Sequence, residues 1–581
     1  MAARIVLALI LVVLVGCATQ RGSDRFPSQA ELEQIPPLAE ARSLALAERK
    51  DVSAWDLEGP LPEADAQSVT GQSSPWAQEL ELASLAHPAH LIRTRAMECA
   101  ARELGRFFLE HGGQPAQGLK RYILSLCGSV ALQVNTAFLH GTVPYDVPTE
   151  RLFNEWRPQV STLIASILNG RPHDRAGIWF GQANGQAVVM VVAGESRADF
   201  TALPRVPDSE GRVRIQGRLK LDAESVNALV NHGRFGVEDC ESDPGVSLPR
   251  FALSCPVAQG DSHAWISIAA YPPGRILGER ILDLLVWPSG VRSARYERPA
   301  RPSSEPVATA EQAPEVILRM LNQVRREAGL PTLELAREQS ELAHRLAPIY
   351  LLAMMGEEPL ESADKIALGM MAGWEVPGIV RHGRVTGDFA TQTRDVGDLL
   401  AATLEHPNGR YALLDPMARA IAIGPVAQAE GELTVIGALV GTYALFDEDE
   451  DHGRAAEIVF EELVQIAQEH GVRDVAPSEE LTDIASKAAR AIREGEWSPE
   501  RALDSALGIA AGRRPGDPVT GLYLEASDLD QVTFPEEFFE FGSMQVGIAV
   551  THYRPHDSAW GRYVVLVVAA GKKPLLTASV R

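Results

Sequence analysis

Residues Asn322–Leu333 read NQVRREAGLPTL. With their flanks, VILRMLNQVRREAGLPTLELAREQSELAHRLAPIYLLAM, they form two helices hinged at Gly329-Leu330-Pro331 by pattern. Glycine stops the first helix and proline cannot continue it. The pattern returns further along the chain: VFEELVQIAQEHGVRDV aligns with ILRMLNQVRREAGLPTL without a gap. Gln323 falls on Gln465, Glu327 on Glu469, Gly329 on Gly471 and Leu330 on Val472, a shift of 142 residues. At that shift Leu342-Ala343 falls on Ile484-Ala485. Each segment then closes on two strand-like runs, AIAIG with LTVIGALVGTYALF, and MQVGIAVTHYRP with GRYVVLVVAA. An internal repeat is therefore expected. The segment from 75 to 200 also runs helices first and a strand pair last, and its PAQGLKRYI echoes PERALDSAL at 499–507, so it is a possible third copy.

These motifs resemble the CAP superfamily: cysteine-rich secretory proteins, antigen 5 and plant pathogenesis-related proteins. The matching residues are Asn322, Arg325, Gly329, Pro331 and Leu333, with Leu342-Ala343 on the next helix. HPNGRYALLDP, 406–416, is similar to the family's histidine-bearing segment and contributes Arg410 and Pro416. The resemblance covers about 315–447, with a degenerate copy at 448–572. It implies α-β-α sandwiches around a cleft where two histidines and two acidic residues can hold a divalent metal.

That tetrad is incomplete here. Gly409 stands at the second histidine position, and MMGEEPLESADKIALGMM, which should hold the first, has no histidine. His406 lies three residues early, Glu405 beside it, and His382 in the middle loop, so these three are the substitute cleft residues. The plain reading of the two histidines is as solvated loop residues. His552 and His556 in THYRPHDSAW read the same way. The Ser262-His263 pair lacks a nucleophile elbow, and there is no phosphate-binding glycine loop. No catalytic residue, metal or cofactor is expected.

The 581 residues fit several domains, and a composition 45% hydrophobic and 23% charged supplies ordinary globular cores. A net charge of -23 speaks against nucleic-acid binding and against electrostatic docking onto anionic lipid. At the N-terminus, Ile5–Val15 has the length of a signal-peptide core and ends in Leu14-Val15-Gly16-Cys17. That resembles a bacterial lipobox with Cys17 as the lipidated residue. Ala18 after it resembles an outer-membrane sorting context. Of the other cysteines, Cys99 and Cys127 are 28 apart, and Cys240 and Cys255 are 15 apart. In an oxidising compartment these pairs suggest two disulfides; a four-cysteine zinc site is the rival.

The expected architecture is α+β and multidomain. It comprises signal peptide 1–17, flexible tether 18–74, a helical domain with a terminal β-hairpin 75–200, an antiparallel β domain 206–292, linker 293–314, and the CAP-like segments 315–447 and 448–572. The expected protein is an exported lipoprotein, at the outer membrane facing the periplasm or at the cell surface. Its non-catalytic CAP-like domains would bind a lipid, a small apolar ligand or an envelope or extracellular partner. A peptidase with a relocated cleft site and a structural envelope module are the alternatives.

Overall fold

In a computed structural model of the chain, the described residues are 26–36, 49–58, 74–86, 91–132, 134–145, 147–169, 173–275, 277–355, 358–391, 395–430, 433–447, 452–472, 474–556 and 558–572. The protein is α+β and multidomain. It divides into two compact units, one of Pro27–Met371 with Arg384–Thr442, the other containing Ala372–Gly383 and the chain from Tyr443 on.

Three short elements come first: α1 (Gln29–Glu33), β1 (Arg49–Lys50) and β2 (Ala54–Asp56). Then follow α2 (Pro75–Ala86), β3 (Ile92–Arg93), α3 (Arg95–His111), β4 (Gln114–Pro115), α4 (Gln117–Leu126), β5 (Val134–Thr142), α5 (Thr149–Leu168), β6 (Arg175–Ala183) and β7 (Gln186–Gly194). The sheet order is β3-β6-β7-β5. The turn between β6 and β7 has positive φ at both Asn184 and Gly185, the backbone an Asn-Gly hairpin requires. β7 is buried on both faces. Val188, Met190 and Val192 pack with Met97, Phe107 and Tyr122, whereas Val189, Val191 and Ala193 pack with Leu80, Val160 and Ile164. Helices therefore cover the sheet on both sides, which is why β7 reads as an unbroken apolar run.

The β domain comprises β8 (Ala198–Ala202), β9 (Arg212–Leu219), β10 (Ser225–His232), β11 (Gly236–Asp239), β12 (Glu241–Ser242), β13 (Arg250–Pro256), β14 (Ala264–Tyr271) and β15 (Glu279–Val286). Two four-stranded antiparallel sheets, β11-β10-β14-β15 and β12-β13-β9-β8, share one core. It begins earlier than the expected 206, because β8 pairs with β9. Strand β16 (Arg295–Glu297) follows.

The next segment holds α6 (Ala313–Glu327), β17 (Glu334–Leu335), α7 (Arg337–Met355), α8 (Leu360–Ala372), β18 (Val380–Thr391), α9 (Val396–Glu405), α10 (Pro407–Leu413), β19 (Ala418–Glu430) and β20 (Leu433–Leu445). The last holds α11 (His452–Glu469), β21 (Asp474–Pro477), α12 (Glu479–Arg493), α13 (Pro499–Arg513), β22 (Val519–Ala526), β23 (Ser543–Tyr553) and β24 (Arg562–Lys572). Their sheets run β17-β19-β20-β18 and β21-β23-β24-β22. Three sheets thus share one order, first-third-fourth-second, with a short first strand parallel to the third.

The likeness extends to backbone detail. The residue that opens the second helix donates its N–H to the third strand in every case: Thr94 to Ala176 at 3.1 Å, Ala336 to Ile421 at 2.8 Å, Ser478 to Val546 at 2.9 Å. A third-strand glycine then lies against that helix's backbone. A Cβ at Gly177, Gly424 or Gly547 would come within 2.1–2.3 Å of it. The helix ends match as well. Gly329 and Gly471 have φ of 73° and 81°, and Leu330 N–H donates to Arg325 O as Val472 N–H does to Ala467 O, at 2.8 and 2.9 Å. These glycines provide the left-handed residue of a helix stop, at the 142-residue shift.

Two expectations are corrected. The tether 18–74 is packed in part. α1 carries a Ser28–Glu31 capping box, its Leu32 is fully buried, and Arg345 donates to the carbonyls of Leu32, Glu33 and Ile35. β1 pairs with β4, and Trp55 of β2 joins the core beside Phe107. The linker 293–314 likewise docks: β16 pairs with β2 and buries Tyr296. One buried side chain per short polar segment carries no periodicity, so sequence alone reads these pieces as linkers. Both expected disulfides are present, Cys99–Cys127 tying α3 to the end of α4 and Cys240–Cys255 joining the start of β12 to β13. Cys17 lies outside the described residues.

Candidate functional site

The α6 motif residues are structural anchors. Asn322 pairs with the backbone of Leu333 in both directions, donating at 2.9 Å and accepting at 2.8 Å. Arg325 is fully buried and donates to the carbonyls of Pro331, Leu413, Asp415 and Ala418. Burial pulls its guanidinium down to about 10, which leaves it charged at neutral pH. It therefore ties α6 to its own following turn and to the chain between α10 and β19. Pro331 and Pro416 are exposed turn residues.

The α9–α10 junction holds the expected cleft residues. His406 ends α9 and caps α10 in one extended residue, φ -92° and ψ 138°. Its Nδ1 accepts the Asn408 N–H at 3.3 Å, so the ring proton sits on Nε2 and points to Asp283 Oδ1 at 3.1 Å. Both ring nitrogens are engaged, and no lone pair is left for a metal. Burial lowers the ring to about 4, against the opposing pull of Asp283, so it is neutral. Burial also works to raise Asp283, but His406, Arg280 and Arg121 outweigh it and hold the carboxyl well below its usual range. This corrects the reading of His406 as a solvated loop residue: it is 6% exposed and packs against the β domain.

Gly409, where the resemblance would place a histidine, cannot carry a side chain. A Cβ there would sit 1.9 Å from the Thr403 carbonyl oxygen. The turn that brings α10 back on α9 takes that space. Arg410 follows, donating to Leu404 O and to His232, Gly233 and Gly236 O of the β10–β11 hairpin. Asn231 on β10 completes the seam, donating to Glu405 O at 2.7 Å and accepting from Trp265 N at 2.6 Å.

His382 lies on β18, not in a loop. Among the described residues, no three His, Cys, Asp or Glu side chains are placed to hold a metal ion. His552 is also buried, on β23, stacked on Phe446 with His452 at its edge, which corrects its reading as a loop residue.

Glu405 is the residue whose surroundings the sequence could not supply. Its side chain borders a cavity of about 60 Å³ with Asp51, Arg121, Tyr296, Arg298 and Asp388. These come from β16, α4, β18 and chain near β1, hundreds of residues apart. Burial raises the Glu405 carboxyl, opposed by Arg121. A second cavity, about 10 Å³, is lined by apolar residues including Ile317, Leu399 and Val440, with Asp388 at its edge. The apolar run Ile349–Leu352 is buried core.

No protein-family model matches this chain, and no curated protein matches it. Among solved structures it is similar to a cysteine-rich secretory protein from Staphylococcus aureus, at 9% identity and a TM-score of 0.17, over 40% of this chain and 82% of the other. At that level of likeness, the chain's own geometry carries the reading.

Proposed function

We propose that this chain is an exported lipoprotein, anchored through Cys17, whose three α-β-α units are non-catalytic CAP-like scaffolds that bind an envelope or extracellular partner. The observation that carries the non-catalytic reading is the Gly409–Thr403 contact, which takes the space a histidine needs. The engagement of both His406 nitrogens supports it. A partner is favoured over a lipid or other apolar ligand because the apolar cavity behind α9, about 10 Å³, has room for roughly one water. No observation favours a relocated peptidase site. A structural envelope module shares the scaffold and differs only in having no ligand. Two measurements test the proposal. Cys17→Ala should abolish fatty-acid labelling and move the chain from the membrane to the soluble fraction. The wild-type chain should show no peptidase turnover; labelling that survives in Cys17→Ala, or turnover lost in His406→Asn, contradicts the reading.

A further inference from the structure

The cavity beside Glu405 carries an inference that goes beyond a surface partner and does not depend on the anchor. Glu405 is 9% exposed and lines the cavity, and among the described residues no cation lies within ion-pair distance of it. The indole N–H of Trp265, fully buried, lies near the carboxylate and favours its ionised form, but it is a neutral donor and supplies no opposite charge. Burying a carboxylate without a paired charge is costly, so such a group calls for a partner. Arg121 lines the same cavity and, among the described residues, forms no ion pair with Glu405 or with any other carboxylate. The other charges are mostly answered within the protein. Asp51 meets Arg298 at 2.7 Å, and Asp398 meets Arg301 at 2.7 Å. Asp388 adds negative potential on the Glu405 side.

The room is defined by small residues. A Cβ on Gly118 would stand 3.1 Å from the Tyr296 hydroxyl and 3.4 Å from Glu405 Oε2, so glycine keeps that corner open. Ala401 and Ala402 of α9 form another wall. At about 60 Å³ the space exceeds the roughly 10–15 Å³ that one water needs and fits only a handful of non-hydrogen atoms. A single cavity thus presents an unpaired acid and an unpaired base that do not touch. We propose that it binds a small zwitterion, an α- or short ω-amino acid, with its ammonium group on Glu405 and its carboxylate on Arg121.

Isothermal titration of the full chain with glycine, β-alanine and γ-aminobutyrate tests this, with ethylammonium and acetate as single-charge probes. At least one zwitterion should saturate at one per chain, and neither single ion should. Affinity should fall at least tenfold in Glu405→Gln and in Arg121→Gln. Ala402→Leu fills the space while keeping every charge, and should abolish binding without lowering thermal stability, so it decides the matter even if a charge variant folds poorly. The proposal is overturned if no zwitterion saturates, if ethylammonium or acetate binds as well, or if binding survives Ala402→Leu. A null here leaves the surface-partner reading standing, because that reading makes no use of this cavity.

Discussion

His406 Nε2 lies 3.1 Å from Asp283 Oδ1, and neither residue is more than 7% exposed. A histidine on the α9–α10 junction is thus bound to a carboxylate of β15, in a protein whose sequence invites reading it as a ligand. Arg280 lies 3.6 Å from the same carboxylate, and Arg121 adds its charge nearby.

The pair predicts acid sensitivity. His406 falls from an ordinary 6.5 to about 4. The unfolded chain therefore takes up the proton first. The neutral ring's contribution is whole above about pH 6.5 and is lost as pH falls toward about 4. The loss is of order 3 kcal/mol, at about 1.4 kcal/mol per pH unit. Glu405 is raised and acts oppositely, costing stability as pH climbs above 4.5; Asp283 is lowered and matters only below 3.8. His552 also falls to about 4, so the readout is the difference between wild type and His406→Asn. Denaturant unfolding from pH 7.5 to 4.5 should show a steeper decline in the wild type. Parallel curves would remove His406 from the account.

Gly409→Ala should destabilise the chain by about 2 kcal/mol or more, because backbone on both sides of the clash must shift. Gly409→His should be at least as damaging. A thermal midpoint unchanged in Gly409→Ala would mean the α9–α10 turn is looser than its 1.9 Å Cβ–carbonyl approach implies.

Arg325→Met should cost about 3–5 kcal/mol, since four carbonyls lose a charged donor inside the protein. Lysine should rescue little, because one ammonium cannot span Pro331, Leu413 and Asp415. Urea midpoints of the three proteins check this, and full rescue by lysine would contradict it.

Reducing the disulfides should lower the thermal midpoint. Closing loops of 28 and 15 residues is worth about 3.6 and about 3 kcal/mol on the chain-entropy estimate. Cys99→Ser/Cys127→Ser and Cys240→Ser/Cys255→Ser, melted separately, measure each loop. A midpoint that does not change in either pair would refute the estimate.

Local signals in the sequence carried much of the fold. Gly329 and Gly471 mark helix stops because only a left-handed backbone satisfies the last carbonyls there, and both sit at the same shift. Asn184-Gly185 marks its hairpin for a similar reason. The paired cysteines were near in sequence and near in space. The site was less legible. His406 is buried by Asp283, 123 residues earlier, and no spacing rule links β15 to a helix junction. Arg121, Glu405 and Asp388 line one cavity only because separate α-β-α segments and β16 pack together. Leu32 and Trp55 were hidden for the opposite reason: each is a lone anchor in a polar segment.

We propose that the α9–α10 junction serves packing and not metal binding, on the Gly409–Thr403 approach and the bonding of both His406 nitrogens. Metal analysis of the purified chain by mass spectrometry, wild type beside His406→Asn and His382→Asn, tests it most directly. The account predicts no stoichiometric zinc or other divalent ion in any of the three. One equivalent of metal in the wild type, lost in either variant, would contradict it.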